Sequence, residues 1–164
     1  MKITPARVAS EAMWVRDRAE TVVPLINETR DRLGELFETD VDHVSTDAYR
    51  EEVEAVFADG EVAVNAAGYV AILRELDVEN DYPGFVVDEV LGRELAATIA
   101  GGTPLSLLAQ ATFHYADVMT HTAGEAGLDD LDAALAAGFQ TRLPGWDWRE
   151  TESPFGVDLR SIDD

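Results

Sequence analysis

Val8, Ala12, Val15, Ala19, Val22, Ile26, Thr29, Leu33 and Leu36 are separated alternately by four and three residues, and all but Thr29 are apolar. Only a helix brings residues at that spacing onto one side, so four successive heptads commit this part of the chain to helix with one buried seam. Thr4-Pro5 supplies the start, a capping hydroxyl followed by a proline at the first helical position, where its missing N–H costs nothing. Pro24 interrupts the run but leaves the apolar phase unchanged on either side, which predicts one long helix kinked at the proline. The seam requires a cover. Later helices of the same chain are the first expectation, and a second copy or a protein partner is the alternative, with Val15, Val22, Ile26 and Leu33 as candidate interface residues.

The rest of the chain reads the same way. Ser45-Thr46-Asp47 offers three caps for a helix with Tyr49, Val53, Val56 and Phe57 inward, closed by Asp59-Gly60, and Val62 to Leu76 continues as its hairpin partner. Tyr82-Pro83-Gly84 precedes a helix from Phe85 to Ala100, Gly101-Gly102 stops it, and Thr103-Pro104 repeats the cap-plus-proline start. A last helix from about Leu128 to Leu143 presents Leu131, Ala134, Leu135 and Phe139. No repeat or strand alternation is present. The expected fold class is all-α: an irregular single-domain bundle of five to seven helices over residues 1–143, with an acidic tail over 144–164 that carries Trp146 and Trp148. Those two tryptophans are candidates for clamping the tail or anchoring a partner.

Thirty-three acids stand against twelve bases in 164 residues, a net charge of −21, and eleven of the twelve bases are arginine. Acids are spread through both halves, so the charge belongs to the whole surface and not to a tail. Self-repulsion on this scale is relieved by salt, because the Debye length falls from about 10 Å at 0.1 M to about 3 Å at 1 M. The composition resembles that of proteins from salt-in halophiles. The absence of cysteine excludes disulfide scaffolds, thiol catalysis and cysteine-ligated metals. With no basic-then-apolar leader after Met1, a cytoplasmic location is expected.

Residues 95–113 contain no charged side chain. The run is long enough to span a bilayer, but Gly101-Gly102-Thr103-Pro104 splits it into two helices, which predicts the centre of a core and no membrane association.

One constellation carries chemistry. On the helix after Pro104, Ser106, Gln110, His114, Asp117, Thr120 and His121 share a face, and Leu105, Leu107, Leu108, Ala111, Ala116, Val118 and Met119 cover much of the rest. Two imidazoles seven residues apart with a carboxylate between them are suited to a divalent transition metal, with His43 or Glu125 completing the set and Gln110 in support. Alternatively Asp117 orients a histidine as a general base. The spacing matches neither the paired Glu-x-x-His units of di-iron bundles nor the His-Glu-x-x-His of zinc proteases. A polar strip bonded between packed helices is the competing reading.

Residues 47–76 have the outline of a helix-turn-helix, but the second helix brings no cluster of Lys or Arg for phosphates, which disfavours nucleic acid. The expected function is non-catalytic association with itself or a protein partner. A metal-dependent or general-base enzyme centred on His114, Asp117 and His121 is the alternative, and a transcriptional regulator comes third.

Overall fold

The computed structural model describes residues 2–75, 90–120 and 128–145. Seven helices and no strand occur among them: α1 (Pro5–Asp17), α2 (Ala19–Phe37), α3 (Thr46–Ala58), α4 (Gly60–Glu75), α5 (Arg93–Ala100), α6 (Leu105–Thr120) and α7 (Leu128–Arg142). The predicted caps hold at two starts: Thr4 accepts from the Arg7 N–H at 3.1 Å and Ser45 from the Ala48 N–H at 3.1 Å. Each satisfies one of the backbone donors that a first turn leaves without a partner.

The long N-terminal helix is two helices, and the break is not at the proline. Arg18 leaves helical geometry with ψ near 3°, and its N–H bonds back three residues to the Val15 carbonyl at 3.2 Å. Pro24 sits within α2, which restarts at Ala19. The break falls where the Arg18 side chain turns inward: its guanidinium forks onto the carboxylate of Asp132 in α7, with Nε 3.1 Å from Oδ1. Both halves of the seam still face inward. Val15, Ala19, Val22, Ile26 and Thr29 are fully buried and Leu33 nearly so, whereas Leu36 is 56% exposed, so the buried seam ends one step early. Its cover is intramolecular: Val15, Ala19, Val22 and Ile26 pack into one cluster with Tyr49, Val53, Val70, Leu95, Leu135 and Phe139, and Leu33 packs into a smaller one with Val41 and Leu108.

The central element is α7. Every residue from Asp130 to Thr141 is buried, on all sides of the helix, where the sequence suggested one apolar face. Small residues make this possible. Ala133, Ala134, Ala136, Ala137 and Gly138 let neighbours approach closely, and a Cβ added at Gly138 would stand 2.8 Å from the Ile99 Cβ and 3.0 Å from the Ala96 carbonyl oxygen. The uncharged residues 95–113 do line this centre through Leu95, Ala96, Ile99, Leu108, Ala109 and Phe113. Among the described residues no single helix is long and apolar enough to cross a membrane.

Arg30, fully buried in α2, closes the far end of α7. Its guanidinium donates to the carbonyls of Gln140, Leu143 and Pro144 at 2.8 to 2.9 Å and also to that of Asp42 in the α2–α3 link. A cation at a helix C-terminus meets both the free carbonyls and the negative end of the helix dipole. Gly145 turns the chain away with φ at +110°, and a side chain there would strike Arg30 and Asp42.

Candidate functional site

The histidine and carboxylate face of α6 is only partly within the described structure. His114 is exposed, its ring meeting Tyr115 edge-on at a centroid distance of 6.4 Å, and Asp117 and Gln110 are half-buried. His43 lies in the α2–α3 link, where Nε2 is 2.8 Å from Asp31 Oδ1. His121, Glu125, Trp146 and Trp148 lie outside the described residues, as does the tail beyond Gly145. Among the described residues no group of three or more His, Cys, Asp or Glu is placed to hold a metal ion.

Two charged clusters face solvent in part. Glu11, 1% exposed, is gripped by Arg7 (2.9 Å) and Arg74 (2.7 Å), and Arg7 also reaches Glu75. The hydrogen bond to Glu75 and the nearby carboxylate charges raise the Arg7 pKa above its ordinary value, so this group stays cationic. Trp14 lies between two guanidinium groups, Arg74 at 4.5 Å and Arg18 at 5.2 Å from its ring centroid. Arg74 was the cation that a DNA-reading α4 could offer. It is committed to Glu11 and Trp14, and α3 and α4 meet at a 110° bend whose second helix opens with Glu61. The second is a groove of about 590 Å³ at the end of α2, lined by Asp31, Glu35, Glu38 and Asp40 together with buried Arg30. Its carboxylates fit the general acidity of the surface.

The outer face of α6 differs from both. Leu107 is 54% exposed, Val118 61% and Tyr115 41%, and Ala111 and His114 between them are exposed as well. By helical spacing, Leu107, Ala111 and Val118 belong with the covering apolar residues. Instead the inner face is Leu108, Ala109, Thr112, Phe113 and Ala116. The rotation of α6 is set by Phe113, whose ring occupies the space over Gly92: a Cβ there would lie 2.4 Å from it. With Phe113 inward, Leu107 and Val118 are carried about 120° round the helix and out of the core. Leu107, Ala111, His114 and Val118 are separated by four, three and four residues, with exposed Tyr115 beside His114, which leaves a short helical seam open. Asp117, on the flank, is the one charged residue in the whole of α6. Its lack of charge on a chain of −21 was a sequence-level signal for this face, but it does not say which apolar residues point out.

Among the described residues, seven helices form a bundle in which α7 is buried on all sides and α6 leaves Leu107, Tyr115 and Val118 exposed. The chain belongs to the family described as Domain of unknown function (DUF7984), whose model matches residues 1–159. No curated protein and no solved structure matches it.

Proposed function

We propose that this protein acts by association with protein, without catalysis, and that the outer face of α6 is the surface it uses. The observation that carries this reading is the exposed, helically spaced row Leu107, Ala111, His114 and Val118 on a chain whose surface is otherwise strongly acidic. Exposed apolar rows of this kind mark interaction sites in soluble proteins. The N-terminal seam, including Val15, Val22, Ile26 and Leu33, is spent inside the core and takes no part. The acidic composition supports a cytoplasmic setting at high salt, where screening lets highly charged chains meet.

The test is the native size of the protein in extract from cells that make it, kept at the ionic strength of those cells. The expected result is an assembly larger than the 17.9 kDa chain that collapses to the size of the chain when Leu107→Glu and Val118→Glu are introduced together. An assembly unchanged by the pair, or a wild-type chain that is monomeric in extract, overturns the reading.

A further inference from the structure

We infer that the occupant of the α6 face is a basic amphipathic helix of a partner protein, seated with its apolar side on α6 and its cationic end in the acidic groove at the end of α2. The inference rests on the reading of α6 as the association surface, and it adds the chemistry of the partner.

The groove and the face are one surface. Val41 lines the groove and packs with Leu33 against Leu108, the neighbour of Leu107 at the start of α6. Leu36 and Phe37 stand three and four residues beyond Leu33, on the same side of α2, and both remain exposed. Eight large hydrophobic side chains are exposed among the described residues, and five of them belong to this surface: Leu36, Phe37, Leu107, Tyr115 and Val118. Such a concentration marks a contact with another protein. Its shape suits a helix. Leu107 and Val118 are about 16 Å apart along α6, so a helix laid beside them at the usual separation of about 8–10 Å covers the row with three turns.

Charge selects the sign of the occupant. Asp31, Glu35, Glu38 and Asp40 line the groove, and the one cation in its lining among the described residues is buried Arg30, whose Nη1 and Nη2 donate to backbone carbonyls. Glu20, Glu52, Glu54 and Glu75 elsewhere on the surface each meet an arginine. Glu35, Glu38 and Asp40 form no ion pair among the described residues. Lys or Arg at one end of the incoming helix relieves the repulsion between these carboxylates and fixes its register. Along α6 the only charge is Asp117 on the flank, so the apolar part of the contact desolvates little charge. A neutral or acidic helix could fill the row but would leave the groove opposed to it.

The probe is a fluorescein-labelled peptide of Leu, Ala and Lys, about 18 residues or roughly 27 Å as a helix, with Leu on one face and Lys on the other and at one end. Its control is a shuffled peptide of identical composition that forms no apolar face. Anisotropy with the purified full chain reads binding at the lowest salt at which circular dichroism shows wild type and variants folded. The amphipathic peptide is expected to bind about tenfold tighter than the shuffled one. Leu107→Glu with Val118→Glu abolishes that difference, although it adds negative charge. Glu35→Gln with Glu38→Gln weakens binding by about fivefold, whereas Glu51→Gln with Glu61→Gln, which removes two exposed carboxylates from α3 and α4, leaves it within about twofold. Equal binding of the two peptides, or equal weakening by the two Gln pairs, overturns the inference, since net charge alone then draws the peptide. If that happens while wild type still forms an α6-dependent assembly in extract, the partner is not a basic helix and the association reading stands. A chain that is monomeric in extract removes the association reading itself, and the partner with it.

Discussion

Replacing Arg30 with Met would strip the donor from four carbonyls, those of Asp42, Gln140, Leu143 and Pro144, while keeping most of the side-chain volume. Charge-assisted hydrogen bonds of this kind are individually worth about 1.5–3 kcal/mol, so the expected loss is at least about 3 kcal/mol in urea unfolding, a large share of a domain's stability. A loss under about 1 kcal/mol would show that Arg30 does not close α7. Gln140, beside it, poses the opposite case. Its side-chain amide is fully buried and has no hydrogen-bond partner among the described residues, so Gln140→Met is expected to stabilise by about 1–2 kcal/mol. A destabilised variant would mean that the amide is bonded. Tyr49 ties stability to alkaline pH. Its hydroxyl donates to the Val15 carbonyl at 2.8 Å, and burial, reinforced by the charge of Asp132, pushes its pKa well above the ordinary phenol value of about 10. The unfolded chain therefore ionises first. The stabilisation is complete below about pH 10 and drains away as pH rises beyond it. Tyr49→Phe loses about 1 kcal/mol at neutral pH but should shed that part of the alkaline decline, which denaturation at pH 8 and roughly pH 11 would compare. Equal alkaline losses in both proteins would exclude Tyr49 as the cause.

At the scale of elements, two glycines separate packing from propensity. Gly138 is where α7 meets α5, and Gly138→Ala is expected to cost about 1–3 kcal/mol because Ile99 and the Ala96 carbonyl must move. Gly68 stands inside α4 with open space around it, so Gly68→Ala should stabilise by about 0.5–1 kcal/mol. Thermal unfolding of the two variants checks the opposite signs. Helix identity was readable from the sequence because it rests on local signals: the seam from Val15 to Leu33, the caps at Thr4 and Ser45, the stop at Gly101. What was not readable depends on partners distant in sequence. The break at Arg18 follows from Asp132, 114 residues away. The all-round burial of α7 was masked by Asp130, Asp132 and Gln140, which look like solvent-facing residues until their surroundings are known. The rotation of α6 was undetermined because apolar residues cover most of its circumference, and the Gly92–Phe113 contact decides it.

For the whole molecule, the candidate site moved from chemistry to surface. The sequence drew attention to the scarce polar groups of α6, His114 and Asp117, because titratable side chains stand out in an uncharged stretch. The structure draws attention to the apolar residues beside them, since Leu107, Tyr115 and Val118 are exposed. On a chain of −21, the outer face of α6 is a stretch of exposed helix surface that carries little charge. Because that row is exposed, Leu107→Glu with Val118→Glu should leave folding stability within about 0.5 kcal/mol of wild type, a control that separates surface from core. The most direct measurement is the native size of wild type and this double variant side by side in extract at high salt. An assembly is expected for wild type and a lone folded chain for the variant. Identical sizes would contradict it.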